Sequence, residues 1–467
     1  MENTLPERAH TNHLRRQAKD LRRSFKRRDV EAADRIRDHY PKLAKATAEE
    51  IFSATIGLQD ALLVISREYG FESWPTLKRH IEEERFEDDK AAFIAAVTEG
   101  EAREVKRLLK FNGKLRGNID EPWFYFGSTA LLQSASNGNR KLIDALLDAG
   151  ANINTKSAWK PGPFGALHYV DSELGAYLIE RGAEVDAHAA VHLGLIDTVR
   201  EMVAVDPGIV HAKGGDGQTP LHFAKTVAVA GFLLESESEI EARCVDHEST
   251  PAQWMAVDRP QVCRYLLERG ACPDIFMAIG LDDCALLDRV IAESPGSLRA
   301  HVGQPGKAKG YAGGDIYAYH PSVGAGVNGT PLHACASLCR VEAGKHLLES
   351  GADVEERGAY DDCTPLHWAS WHNKAAIAEL FLDCGADPEA RTGEIHDNTA
   401  LNWAVINGSV AIVRLFIDRK VDLSQQTIKT ALKGERGELR KLSHAPLSDY
   451  TEIRILLEAA GLDGRKG

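Results

Sequence analysis

An all-α repeat solenoid of helix-turn-helix units with short hairpin loops, preceded by a small helical region, is the fold class this sequence predicts. Three observations carry the prediction. A two-helix unit recurs along most of the chain, at intervals of about 33 residues where it is clearest. Its copies share a Thr-Pro-Leu-His start and a Leu-Leu, Gly-Ala-Asp/Asn finish. No single copy has enough apolar surface to make a core alone, so neighbours must stack.

The first element is a region that does not repeat, residues 1–84. LRRQAKDLRRSFKRRDVEAADRIRDHYP is helical in pattern and strongly basic. AEEIFSATIGLQDALLVISREYG reads as a second amphipathic helix closed by Gly70, and FESWPTLKRHIEEE as a third with Pro75 in its first turn. The basic run offers contact with an acidic partner or nucleic acid. It is equally the composition of a solvated helix face, and the overall charge argues against nucleic acid as the main partner.

Repeats follow from 89 to 300, partly degenerate, and again from 328 to 423, roughly ten units in all. The clearest are Gly329–Arg357, Cys363–Arg391, Asn398–Ser424 and Ser128–Asn154. Thr before Pro starts a helix, since the hydroxyl caps and Pro suits the first turn. Alanine pairs let first helices approach closely, and Leu-Leu of the second helix packs between units. Gly150, Gly351 and Gly385 fit the left-handed position that ends a helix. Weaker units fill 91–109, 165–187, 186–207, 218–243, 249–274 and 274–295, the one at 165–187 about one helical turn short. Residues 301–327 form a Gly/Tyr-rich insertion containing Tyr311, Tyr317 and Tyr319. Residues 424–467 read as a C-terminal cap and tail, because TEIRILLEAAG repeats the second-helix pattern.

These units resemble ankyrin repeats, whose T-P-L-H and G-A-D motifs they carry. The Arg67–Lys78 stretch, with REYGF and SWP, resembles the helical leader found ahead of such repeats in many bacterial proteins. The resemblance implies binding through hairpin tips and the exposed side of the first helices, which line a concave groove. It also implies a structural role for His168, His222, His333 and His367, each bonding backbone and linking neighbouring repeats. His188 aligns with them.

Composition narrows the remaining choices. The 467 residues carry a formal charge of -13, which repels polyanions at long range. No apolar run is long enough to span a membrane. The opening residues lack a secretory core. Eight scattered cysteines with no CxxC pair fit a reducing cytoplasm better than a disulfide framework.

On this register the groove carries Trp123, Phe124, Tyr125 and Phe126 at one end and Tyr360, Trp371, His372, His396 and Asn407 at the other. Tyr and Trp are enriched in interaction hot spots. A second constellation is polar. Glu173, His192, Thr226 and Asp258 are expected on the groove side of first helices in consecutive units, with Asp216 and His247 on hairpin tips between them. Such a set could do acid/base work or hydrogen-bond a peptide. His188 and His192 have an i, i+4 spacing, but only His192 is expected to face the groove, so no metal pair is assigned. Cys335 and Cys339 with His333 and Cys363 read as core. There is no P-loop, GxSxG or HExxH. The expected function is therefore protein binding, with no cofactor or metal. The alternative is an enzyme or small-molecule binder in the central groove, 165–325, using His192, His247, Asp216, Asp258 and Glu173.

Overall fold

The computed structural model describes residues 4–6, 9–303, 316–317, 323–326, 328–359, 362–393, 397–440, 443 and 445–462. The chain divides into two compact units, Met1–Ser157 and Ala158–Gly467. Among the described residues no helix is long and apolar enough to cross a membrane.

The first unit opens with α1 (Thr11–Lys26), α2 (Val30–His39), α3 (Ala48–Ser53) and α4 (Leu58–Glu68). Each turns an apolar stripe inward: Leu14, Ala18, Leu21 and Phe25 of α1 meet Ile36, Ile51, Leu62 and Ile65 in one buried cluster. The Thr47–Glu50 pair caps α3 reciprocally. The next helix, α5 (Trp74–Glu99), runs across the expected boundary. A break between residues 84 and 89 would separate leader from repeats, yet one helix runs through it. Ser73 caps it, Pro75 sits in its first turn, and nothing interrupts it until Gly100 at φ 79°. Leu77 and Ile81 pack into the leader core, while Phe93, Ala96 and Val97 are buried further along the helix. Then come α6 (Ala102–Phe111), α7 (Gly113–Gly117), α8 (Ala130–Ser136) and α9 (Arg140–Ala149), with α6 packed on α9 and α5 on α8.

The second unit is an array of helix pairs. It starts with α10 (Ser172–Glu180), α11 (Ala187–Leu193), α12 (Ile196–Val205), α13 (Pro220–Phe223) and α14 (Val227–Glu235). It continues with α15 (Pro251–Met255), α16 (Pro260–Glu268), α17 (Ile275–Gly280), α18 (Cys284–Glu293), α19 (Pro331–Leu338) and α20 (Val341–Glu349). The last pairs are α21 (Pro365–Trp371) with α22 (Ala375–Asp383), α23 (Ala400–Ile406) with α24 (Val410–Asp418), and α25 (Gln425–Glu435) with α26 (Leu447–Ala459). First helices stack in one row (α11, α13, α15, then α17, α19, α21, α23, α25), and second helices such as α18, α20, α22, α24 and α26 in another. A single buried cluster runs from Ala190 to Leu457 between the rows.

The stacking of α17 on α19 continues across residues 301–327. The row of first helices is therefore unbroken on either side of these residues. The described parts of the insertion are tied down. His301–Val302 (β1) pairs in parallel with Ile316–Tyr317 (β2), and Val302 N–H donates to the Gly329 carbonyl at 2.9 Å. Val323 and Ala325 are fully buried, and the Trp368 indole N–H donates to the Gly324 carbonyl at 3.0 Å. Tyr311 and Tyr319 lie outside the described residues.

Candidate functional site

The T-P-L-H turn starts the first helices, and its chemistry is visible atom by atom. Thr219, Thr330 and Thr364 cap α13, α19 and α21, with Pro at the first helical position. Three residues on, the histidine Nδ1 accepts the threonine backbone N–H: His222 at 3.2 Å, His333 at 3.2 Å and His367 at 3.4 Å. An accepting Nδ1 places the ring proton on Nε2. That N–H then donates to the carbonyl just before the next threonine, at Ser249 (3.0 Å), Cys363 (3.1 Å) and Asn398 (3.1 Å). Each ring thus closes its own helix start and grips the following hairpin. Burial with no anionic partner holds His222 and His333 neutral, their pKa values lowered to about 3.

Where the motif drifts, other residues keep the link. His188 sits one position earlier on α11 than its counterparts, yet its Nε2 still meets the carbonyl before the next threonine, Gln218, at 3.1 Å. His168 reaches the capping carboxylate of Asp186 at 3.0 Å. Gln253 accepts from Thr250 N–H at 2.8 Å and donates to Asp274, the next cap, at 2.7 Å. Asn402 accepts from the Thr427 hydroxyl at 3.1 Å. A second recurring device escaped sequence reading. Arg243, Arg357 and Arg391 donate across their own hairpins to the carbonyls of Glu248, Asp362 and Asp397, and Arg357 also to that of Arg391. The signal was present in the repeated E-A-R, E-E-R and E-A-R triplets.

The polar constellation does not assemble as expected. Of its four first-helix members only His192 lies on a first helix, α11. Glu173 belongs to the first turn of α10, a second helix; Thr226 is the cap of α14; Asp258 falls in the turn before α16. The cause is truncation. Residues 165–170 form turns instead of a helix, α13 is a single turn and α15 little more, so positions counted along a full first helix slide into the following connection. His192 Nε2 is bonded to the Val170 carbonyl at 2.9 Å, and burial lowers the ring's pKa.

Asp216 and His247 do lie on hairpin tips. Asp216 is buried at φ 55° in the 215–217 turn and accepts the Trp159 indole N–H at 2.9 Å. Desolvation raises its pKa, opposed by that hydrogen bond and by the nearby His247. His247 stands 3.5 Å from Asp246 and edge-on to Trp254. Trp159 had no repeat signal, because it comes from the Pro-Gly stretch before 165. That stretch lies flat on the tip: a Cβ on Gly162 would fall 1.8 Å from the Gly214 carbonyl oxygen, and one on Gly215 would strike the Phe164 ring. Tyr169 packs on Phe223 (5.6 Å) and His192 (6.2 Å). Arg259 donates to the carbonyls of His222 (2.9 Å) and Ala224 (3.1 Å).

The aromatic positions sort into anchors and outward groups. In the first unit Trp123 is half-buried, edge-on to Phe86 (6.3 Å) and Phe93 (6.1 Å), with the Lys90 ammonium 5.2 Å from its ring centre. Phe124 is half-buried as well. Tyr125 is 82% exposed and Phe126 51% exposed, their rings in T-shaped contact at 5.3 Å. Phe126 holds φ 54°, a left-handed backbone rare for a bulky side chain. In the second unit Trp371 meets Trp403 edge-on at 5.6 Å, and its carbonyl accepts from the Asn407 amide. His372 packs on Trp368 at 4.9 Å, its pKa lowered by burial. Tyr360 and His396 lie outside the described residues.

Three segments match family profiles described as ankyrin repeats: residues 126–158, 313–392 (three copies) and 396–425. Among curated proteins, an ankyrin repeat and LEM domain-containing protein 1 homolog from Caenorhabditis elegans is 46% identical over 57 residues, 12% of this chain and 8% of that protein. Human Rabankyrin-5 is 24% identical over 316 residues, 62% of this chain and 24% of its own length. The chain thus spans less than a quarter of these relatives. Among solved structures, the crystal structure of the human ASB11 ankyrin repeat domain is similar at 24% identity, covering 47% of this chain and 92% of that one, with a TM-score of 0.33.

Proposed function

The chain carries ankyrin repeats, and from that premise we propose that it is a protein-interaction scaffold whose aromatic hairpin tip and groove residues hold a partner. One observation carries the proposal. Tyr125 and Phe126 stand outward side by side on a tip whose backbone is strained to hold them. The equivalent tip position in the second unit is Asp216, whose carboxylate is spent on Trp159. A left-handed non-Gly residue costs on the order of 1 kcal/mol or more. An outward aromatic pair on a hairpin tip, with Tyr125 82% exposed, is apolar surface of the kind that marks a protein-binding site. Trp123 in the same stretch is packed against Phe86 and Phe93, and Trp and Tyr are enriched in hot spots. Trp371, His372 and Asn407 are the groove residues proposed in the second unit.

The test is affinity purification of the full chain from its source cells against two variants. Tyr125→Ser with Phe126→Gly is expected to lose the partner while raising stability slightly, because Gly adopts positive φ freely. Val205→Ser, a control at an 88% exposed site on a second helix, is expected to keep it. If the double variant recovers the same proteins in the same yield, the tip is not the binding site.

A further inference from the structure

Helix α1 turns two unlike faces. Leu14, Ala18, Leu21 and Phe25 recur at i, i+4, i+7 and i+11 and are buried, with α4 as the most extensive neighbour. One residue further round, about 100°, the same spacing gives Arg15, Lys19, Arg22 and Lys26. A further residue gives Arg16, Asp20, Arg23 and Arg27. All of these are exposed except the half-buried Arg22. Residues 1–28 hold nine Lys and Arg against three Asp and Glu, a local +6 in a chain of -13.

Several basic residues elsewhere in this unit are paired in place. Arg35 pairs with Glu68 at 2.7 Å, Arg37 with Asp34 at 2.8 Å and Lys78 with Glu82 at 3.4 Å. On α1 only Arg23 has an acidic partner among the described residues, Asp20 at 3.0 Å. Arg15 and Arg28 lie over the rings of Trp74 (5.9 Å) and Phe52 (5.2 Å), contacts that orient a guanidinium without cancelling its charge. Arg16, Lys19, Arg22, Lys26 and Arg27 have no carboxylate partner among the described residues. Like charges three and four apart on a helix destabilise it by a few tenths of a kcal/mol each, so this face is held together by the core behind it.

We propose that the outer face of α1 docks on the phosphate backbone of double-stranded nucleic acid, without reading base sequence. The chemistry selects this occupant. Most of these cations are arginines, whose planar fork matches phosphate oxygens. The face carries no aromatic residue on which single-stranded bases could stack. Every large apolar residue of α1 is buried, which leaves nothing to enter a bilayer and no anchor for an acidic protein. The helix is backed by a packed core, and Arg15 to Lys26 span about 16 Å at 1.5 Å per residue. The negative charge of the remaining chain confines a polyanion to this face.

The experiment is fluorescence anisotropy of the full chain with a labelled mixed-sequence DNA duplex between 50 and 200 mM salt. Five phosphate contacts predict a slope of log K on log salt of about -4.5, a loss of roughly 500-fold across that range. Arg16→Gln, Arg22→Gln and Lys26→Gln together are expected to reduce the slope to about -2. Arg16→Lys with Arg22→Lys, which keeps the charge and the buried stripe, is expected to keep the slope. Circular dichroism checks that each variant is folded. No duplex binding at 50 mM salt overturns the proposal. So does an unchanged slope in the folded glutamine variant, tighter binding to a single strand of equal length, or preference for phosphatidylserine vesicles over duplex.

Discussion

The histidine at the third helical position links neighbouring repeats at the scale of one residue. It works only as a neutral ring, because Nδ1 must accept while Nε2 donates. Protonation would turn the threonine N–H toward a cation inside a dry interface. The pKa values of His222 and His333, lowered to about 3, state that cost. The unfolded chain has ordinary histidines near 6.5, so it binds more protons than the folded one between those values. Stability is therefore complete above about pH 6.5 and falls as the pH drops toward 3, by roughly 1.4 kcal/mol per pH unit for each such ring. His222→Gln is expected to flatten part of that dependence, since Gln253 already makes the same accept-and-donate pair in this molecule. Urea midpoints at pH 7.5 and 5 measure it; an equally steep loss in the variant would show that this ring is not the titrating group. The role of these histidines was legible in sequence, through the motif. The role of Gln253 was not, because it contacts a carboxylate 21 residues away.

At the scale of elements, two helices behave differently from their local pattern. Helix α5 reads as two because its apolar positions change side, Leu77 and Ile81 serving one core and Phe93, Ala96 and Val97 a later stretch, with a charged run between. Periodicity reports which face is buried, and it breaks wherever the neighbour changes, even if the backbone continues. The C-terminal cap shows the opposite case. Gly434 sits inside α25, where Ala is favoured by about 1 kcal/mol on propensity alone. A Cβ there would fall 2.1 Å from Cδ1 of Tyr450 on α26. Tyr450 is almost fully buried, and its hydroxyl donates to the Ile406 carbonyl at 2.8 Å, so it has nowhere to move. Overpacking of this kind costs about 1–3 kcal/mol, which outweighs the propensity gain. Gly434→Ala is expected to destabilise the cap, read as a lower urea midpoint and faster proteolysis after residue 424. A higher midpoint would mean that the α25–α26 approach is looser than drawn.

Within the second unit, stability is approximately a sum over neighbours, and among the described helices the main neighbours of α26 are α24 and α25. Hydrogen exchange is expected to be slowest in α15, α17 and α19 and fastest in α26, with a graded fall between them. Uniform protection from α11 to α26 would show one cooperative block instead. The row of first helices passes directly from α17 to α19, so protection there is expected to be continuous. The resemblance to ankyrin repeats implied the structural histidines, while the sequence by itself determined the class of fold, the repeating helix pairs, the basic face of α1 and the aromatic tip. These rest on local rules: capping, period and composition act within a few residues of where they are written. Only the tertiary structure decided that Glu173, Thr226 and Asp258 leave the first helices, that Trp159 takes the carboxylate of Asp216, and that Tyr125 and Phe126 point outward while Trp123 turns in. Each of those outcomes depends on how far a helix extends and on which distant surface lies against it, and packing between segments remote in sequence sets both.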